Sequence, residues 1–242
     1  MGHPPDGNAD LRRFAQRRQE RAKPCLSKVT RSATIAELID LGEALMCQGR
    51  EVLKEGNRGG AMIFRNGLII AMLTVHPIRR RNFAALQIGT SLFLEGEDVV
   101  VRFSGDDTKN CYEIERVNPS FMVPYVVEYV RFVRPILLGT PHEPDDGHMW
   151  IGRKGTRMVP QALRVVVVNQ TREHLQRTVP PHLFRDSVAT GIAIHDPRHV
   201  GIARIVLGHS DYRTTEKYYI KADSLSAFAR YQAAIKRRRN RQ

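Results

Sequence analysis

A single β-rich stretch set between long helical patterns limits this chain to a mainly α fold with one small sheet. Residues 89–103 contain LFLEGEDVVVRF, whose β-branched run is interrupted by a turn at Gly96, and residues 111–117 continue as a further strand. Strands joined by such short turns pair in an antiparallel manner. We therefore expect an α+β fold, mainly α with one small antiparallel β-sheet near the middle.

Helical spacing of apolar residues covers most of the remaining chain. Thr34 is a good N-cap for a helix over residues 34–50, and a second, strongly apolar helix over residues 61–75 stops before His76-Pro77. Further helices are predicted over residues 79–86, 123–138, 159–174, 182–194, 200–207, 214–219 and 224–236, although the valines at 165–168 also fit a strand. The large aromatic side chains expected in the core, rather than against nucleotide bases, are Trp150, Phe121, Tyr125, Tyr129 and Phe132.

Polarity and charge divide the chain into three parts. Residues 1–33 are polar, basic and rich in Pro and Gly, and predict an N-terminal arm or the remnant of a preceding module. Residues 34–235 are expected to form one folded domain, because their length suits a single core. Residues 236–242, KRRRNRQ, predict a basic tail.

The net charge indicates a polyanionic partner. The chain has 38 Lys and Arg against 25 Asp and Glu, which gives +13 and a pI near 10.1. Each phosphate that a cation neutralises releases counterions, so such an excess favours nucleic acid. Ribosomal proteins, basic secreted proteins and membrane-surface proteins share this charge, which therefore suggests a partner and no reaction.

The cysteines and the N-terminus point to the cytoplasm. Cys25, Cys47 and Cys111 are odd in number and widely spaced, which argues against a disulfide framework or a zinc site. The first residues lack the apolar core of a signal peptide, and no apolar run is long enough for a membrane helix. We expect a reducing compartment and no membrane partner.

The residues with the most chemical meaning lie between 181 and 222. His182 and Arg185 are one turn apart on one helical face, His209 follows a Leu-Gly pair, and Tyr218 comes nine residues later. In their joint order these residues resemble the second box of the tyrosine recombinase, or phage integrase, family. That box runs His-x-x-Arg, Ala-Thr, Leu-Gly-His-Ser, Thr-Thr and Tyr, and every element is present: His182, Arg185, Ala189-Thr190, Leu207-Gly208-His209-Ser210, Thr214-Thr215 and Tyr218.

The same resemblance extends upstream. HPIRRRNFAALQIG, from residue 76 to 89, is similar to the family's first box, and its register selects Arg79, with Arg80 and Arg81 as alternatives. Lys109, in a turn between two predicted strands, matches the family's hairpin lysine. The resemblance covers roughly residues 34–231 and implies the catalytic domain of a recombinase that acts on double-stranded DNA.

The resemblance implies a transesterification with Tyr218 as nucleophile. Arg79 and Arg185 would clamp the non-bridging oxygens of the phosphate, because a guanidinium offers paired donors and stays charged. His182 would assist proton transfer from the tyrosine, whose pKa is ordinarily about 10. Tyr218 is preferred to its helical neighbour Tyr219, which points about 100° away, and to Tyr212.

Two further residues complete the implied site. His209 would hydrogen-bond the scissile phosphate, and Lys109 is the candidate acid for the departing 5′-hydroxyl. The 3′-phosphotyrosine keeps the energy of the broken bond, so no ATP or other cofactor is expected. Because the arginines supply positive charge, no metal is expected either.

A metal site is a weaker interpretation of the histidines. His195, His199, His209 and Asp196 lie close in sequence, but their spacing fits no established ligand pattern. We therefore expect no metal ligands among them.

The resemblance also implies partners. Family members assemble as homo-oligomers, here expected to be a tetramer on DNA, and usually carry a helical core-binding domain before the catalytic one. Residues 1–33 are too few for such a domain, so it would be a separate chain or absent, or the sequence is a fragment. The alternatives are a non-catalytic DNA-binding remnant of an integrase and a type IB topoisomerase-like enzyme that relaxes DNA.

Overall fold

A computed structural model of the protein describes residues 32–105, 113–139, 145–195 and Leu207. Within these residues helices flank one three-stranded sheet, as the sequence predicts. The elements, in chain order, are α1 (Ile35–Lys54), α2 (Gly60–Val75), α3 (Arg80–Ala84), β1 (Leu92–Glu95), β2 (Asp98–Phe103), β3 (Ile114–Val117), a 3₁₀ turn (Ser120–Met122), α4 (Val123–Glu128), a π-helical turn (Tyr129–Val133), α5 (Arg134–Leu138), α6 (Pro160–Leu175) and α7 (Pro181–His195).

The sheet is antiparallel in the order β1-β2-β3. Gly96, with φ of +61°, makes the turn between β1 and β2, where glycine tolerates a left-handed backbone. Val99 and Val101 of β2 are fully buried, so this central strand contributes to the core. The predicted hairpin sheet is confirmed.

Helices α1 and α2 pack closely in the core. Thr34 and Glu37 form a capping box, in which each side chain accepts a hydrogen bond from the other's main-chain N–H, at 3.2 and 2.7 Å. Glycines let the two helix backbones approach, since a Cβ on Gly67 would lie 2.5 Å from the carbonyl oxygen of Gly42. This close packing of α1 and α2 fixes the position of the residues that follow α2.

The π-helical turn corrects one expectation about aromatic residues. The sequence predicts a continuous α-helix over residues 123–138, with Tyr125, Tyr129 and Phe132 in the core. Tyr129 is fully buried and Tyr125 packs against the core, but Phe132 is 67% exposed. The wider π turn changes the direction of the side chains that follow, so α-helical spacing does not hold through it. Phe121, in the preceding 3₁₀ turn, is also exposed, so the core assignment of both phenylalanines is wrong.

The valine-rich segment that also fitted a strand is helical. In α6, Leu163 and Val167 are fully buried whereas Val165 is 45% exposed. In a strand, residues two apart would share a face, so this pattern has the period of a helix.

Over the described ranges, no helix is long and apolar enough to cross a membrane.

Candidate active site

Arg79 lies in the short extended link between α2 and α3. α2 ends at Val75 because Pro77 excludes helical geometry from His76, which has φ of −114° and ψ of 81°. Arg79 itself is extended and precedes the first turn of α3. Its neighbour Ile78 is 4% exposed and belongs to the core, which fixes the position of the half-buried Arg79.

Trp150 packs against the short helix α3 and stabilises it. The indole N–H of this fully buried side chain donates a 2.8 Å hydrogen bond to the carbonyl oxygen of Phe83, near the end of α3. The Trp150 and Phe83 rings also stack, with centroids 5.0 Å apart. A five-residue helix has little stability of its own, so these contacts hold the segment that begins at Arg79.

His182 and Arg185 lie in the first turns of α7. Leu183 and Phe184 are buried, whereas His182 is exposed and Arg185 is half-buried. The three-residue spacing directs His182 and Arg185 to the same side of the helix, as the sequence predicts.

The guanidinium of Arg185 bridges two distant parts of the chain. One terminal nitrogen donates to the carbonyl oxygen of Pro77, 108 positions away, and the other donates to the carbonyl oxygen of Leu207 at 2.5 Å. Leu207 packs with Val188 and Ala189 of α7. Arg185 therefore joins α7 to the link that carries Arg79 and to the residue two positions before His209.

These side chains surround an open pocket of about 370 Å³. It contains three of the predicted site residues, from two parts of the sequence. Its lining is Ile78, Arg79, Arg80, Arg164, Pro181, His182 and Arg185. No acidic residue is among these lining residues, so a pocket with four guanidinium groups is suited to an anion.

The remaining predicted residues lie outside the described residues. Lys109 belongs to the segment that joins β2 to β3, and His209 and Tyr218 follow Leu207. The alternative nucleophiles Tyr212 and Tyr219, and the histidine His199, also lie outside them. No group of three potential metal ligands occurs in the described part of the chain, and the prediction that none is needed stays a prediction.

Sequence patterns gave no sign of a buried polar connection beside the pocket. His76, 2% exposed, makes a 2.9 Å hydrogen bond through Nε2 to Oδ1 of Asn118, and Nδ2 of Asn118 donates to the carbonyl oxygen of Val99 at 3.1 Å. That second bond fixes the amide orientation, so Nε2 of His76 is the donor. Burial lowers the pKa of His76 to about 4. The pair joins the Arg79 link to the base of the β2–β3 hairpin.

Known proteins resemble part of this chain. Tyrosine recombinase XerC of Pseudomonas aeruginosa is 32% identical over 81 residues, which are 34% of this chain and 26% of the relative, and XerC of Pseudomonas fluorescens is 31% identical over 75 residues, which are 31% and 25%. The chain thus matches about a quarter of the length of these relatives. No family model matches the sequence.

Solved structures extend the comparison over most of the chain. The XerH site-specific recombinase bound to its palindromic difH substrate, in a post-cleavage complex, superimposes with a TM-score of 0.56 and 17% identity over 78% of this chain and 50% of that one. A pre-cleavage complex of XerH gives a TM-score of 0.53, with 17% identity over 74% and 48%. The fold is similar to that of these site-specific recombinases, and the matched segment of about 80 residues is homologous to tyrosine recombinase XerC.

Proposed function

We propose that this chain is the catalytic domain of a site-specific DNA recombinase or integrase that cuts and rejoins DNA through a 3′-phosphotyrosyl intermediate on Tyr218. The observation that carries the proposal is the pocket that joins Arg79 to His182 and Arg185. Breaking a phosphodiester requires positive charge around a phosphorus that gains negative charge, and a group that can transfer a proton. These three side chains supply both.

Arg79 and Arg185 bind the two non-bridging oxygens of the scissile phosphate. A guanidinium has five N–H donors, and the bonds of Arg185 to Pro77 and Leu207 use two of them. These bonds fix the orientation of the guanidinium, which lowers the cost of ordering the side chain when DNA binds. Since the guanidiniums stay charged, the reaction is independent of metal ions.

The chemical step is a displacement at phosphorus. Oη of Tyr218 attacks as its proton passes to His182, a bond forms between that oxygen and phosphorus, and the bond to the 5′-oxygen breaks. The electron pair leaves with the 5′-oxygen, which takes a proton from Lys109, while His209 hydrogen-bonds the phosphate. Rejoining reverses these steps with a 5′-hydroxyl as nucleophile, so ATP is not consumed.

Double-stranded DNA is the proposed partner, and a homo-tetramer on DNA is the proposed active assembly. The charge of +13 supports binding to a polyanion. Two recombining duplexes contain four strands to be cut, so one Tyr218 for each strand requires four copies. A separate core-binding domain or accessory protein is proposed to bind the DNA together with this chain.

A search for protein covalently attached to DNA tests the proposal. DNA flanking the native gene is incubated with wild type, Tyr218→Phe and the matched control Tyr219→Phe, and the products are separated on a denaturing gel. A protease-sensitive adduct is expected with wild type and Tyr219→Phe and not with Tyr218→Phe. Salt-sensitive binding without an adduct, with a core-binding domain supplied, would instead favour a non-catalytic DNA-binding protein. Relaxation of supercoiled plasmid by a monomer, without strand exchange, would favour a topoisomerase.

A further inference from the structure

Arg164 lines the pocket from a helix to which the predicted site residues do not belong. It lies on α6, which packs against α2, α3 and α7 and is fixed by the buried side chains of Leu163, Val167 and Thr171. Arg164 itself is half-buried and lies at the pocket together with Arg79, His182 and Arg185. A rigid helix therefore presents a fourth cation to the pocket, beside Arg79, Arg80 and Arg185.

The surroundings of Arg164 differ from those of other arginines. The half-buried Arg50 and Arg177 and the buried Arg134 each bind a carboxylate, in the pairs Arg50–Glu128, Arg177–Glu37 and Arg134–Asp145. Arg164 has no hydrogen-bond or ion-pair partner among the residues that the structure describes, and no carboxylate lines the pocket. Like charges brought together raise the free energy of the folded chain, and a bound anion would lower it.

We propose that Arg164 is a third phosphate-binding arginine of this pocket, with a DNA backbone phosphate as its ligand. This inference rests on the proposed function. Two donors of Arg185 are already engaged by main-chain carbonyl oxygens, so Arg185 cannot offer its complete fork to a phosphate. Arg164 makes no such bond to any described residue and can bind a phosphate through two parallel hydrogen bonds. The phosphate is either the scissile one or its neighbour on the same strand.

Salt dependence of binding tests the contact without requiring catalysis. Fluorescence anisotropy with a short duplex of arbitrary sequence gives the slope of log K against log salt for wild type, Arg164→Gln and Arg172→Gln. Arg172 lies on the same helix, is exposed and does not line the pocket, and it bonds to Asn169. Loss of one phosphate contact reduces the slope by about 0.9. We expect that change for Arg164→Gln alone, at an unchanged melting temperature. An unchanged slope, an equal change in both variants, or no duplex binding by wild type would overturn the proposal.

A second measurement identifies which phosphate is bound. On a mapped cleavage site, Arg164→Gln is expected to form the covalent adduct at least tenfold more slowly, and Arg164→Lys, which keeps the charge without the fork, is expected to be intermediate. If Arg164 binds the scissile phosphate, an uncharged methylphosphonate at that position removes the difference between Arg164→Gln and wild type. If Arg164 binds the neighbouring phosphate, only a methylphosphonate at that neighbouring position removes the difference. If Arg164→Gln forms the adduct on the natural site as fast as wild type, the role of Arg164 in the pocket is overturned. If wild type forms no adduct, the proposed function is overturned, and the salt slope remains the test of Arg164.

Discussion

Arg185 donates a hydrogen bond to the carbonyl oxygen of Pro77, two residues before Arg79. This contact holds together the two arginines on which the proposed chemistry depends, although they are far apart in sequence. Arg185 thus has two tasks, to bind phosphate and to fix the Arg79 link, whereas the exposed His182 one turn away is proposed to act in proton transfer.

Substitution of Arg185 separates these two tasks. Arg185→Lys has a single terminal nitrogen and cannot reach both carbonyl oxygens, so we expect the free energy of unfolding to fall by about 1–3 kcal/mol, the cost of a buried acceptor without a partner. The control His182→Ala is expected to change it by less than about 0.5 kcal/mol, because exposed positions tolerate truncation. Both variants should lose adduct formation. Urea denaturation measures the stability difference, and equal stability of the two variants would contradict the bridging role.

Removal of the Trp150 indole tests the support of α3. Trp150→Phe removes the indole donor to the carbonyl oxygen of Phe83, which keeps only the longer 3.4 Å bond from the main-chain N–H of Leu86. We expect a loss of about 1–3 kcal/mol in the free energy of unfolding. Adduct formation should also slow at temperatures where the variant is folded, because α3 begins next to Arg79. The exposed Phe132 provides a control, since Phe132→Ala is expected to alter stability by less than about 0.5 kcal/mol. Unchanged stability of Trp150→Phe would show that the indole hydrogen bond does not stabilise α3.

The buried His76 predicts how stability depends on pH. Its folded pKa of about 4 lies below the ordinary value of 6.5, so between these values the unfolded chain binds a proton that the folded chain does not. Stability from this group is therefore complete above pH 6.5 and is lost as the pH falls towards 4, by up to about 3 kcal/mol. His76→Gln keeps a donor for Asn118 and does not titrate, so its urea denaturation curves at pH 7 and pH 4.5 should differ less than those of wild type. An equal difference in both proteins would exclude the effect.

The contact between α1 and α2 predicts an effect of adding one methyl group. A Cβ on Gly67 would lie 2.5 Å from the carbonyl oxygen of Gly42 and 2.8 Å from Cβ of Leu45, which requires the helices to separate. We expect Gly67→Ala to lower the free energy of unfolding by about 1–3 kcal/mol, as overpacking does. Gln48→Ala, at an exposed position of α1, should leave it nearly unchanged. Thermal denaturation of the two variants and wild type measures the change, and a Gly67→Ala variant more stable than wild type would contradict the close packing.

The parts of the fold that depend on local patterns could be predicted from the sequence. Thr34 is the expected N-cap of α1, and Gly96 makes the expected hairpin turn. The exposed Phe132 could not be predicted, because the π-helical turn that redirects it has no simple sequence signal. Tertiary packing, rather than local preference, sets that backbone.

The same division holds at the site. Arg79, His182 and Arg185 were expected from a family resemblance, and the described structure brings them to one pocket. Arg164 belongs to no motif, and His76 begins the first box without a role assigned to it. An arginine on an amphipathic helix and a histidine before proline look like ordinary surface and turn residues in sequence. Their importance depends on what lies across from them in space, which spacing along the chain does not encode.

Identification of the residue that becomes linked to DNA decides whether Tyr218 is the nucleophile. The covalent complex is digested with a protease and a nuclease, and the nucleotide-bearing peptide is sequenced by mass spectrometry. Cleavage by Tyr218 predicts a nucleotide joined through its 3′-phosphate to that tyrosine, with a free 5′-hydroxyl on the other side of the break. Attachment to Tyr212 or Tyr219, or a 5′-phosphate linkage, would contradict it.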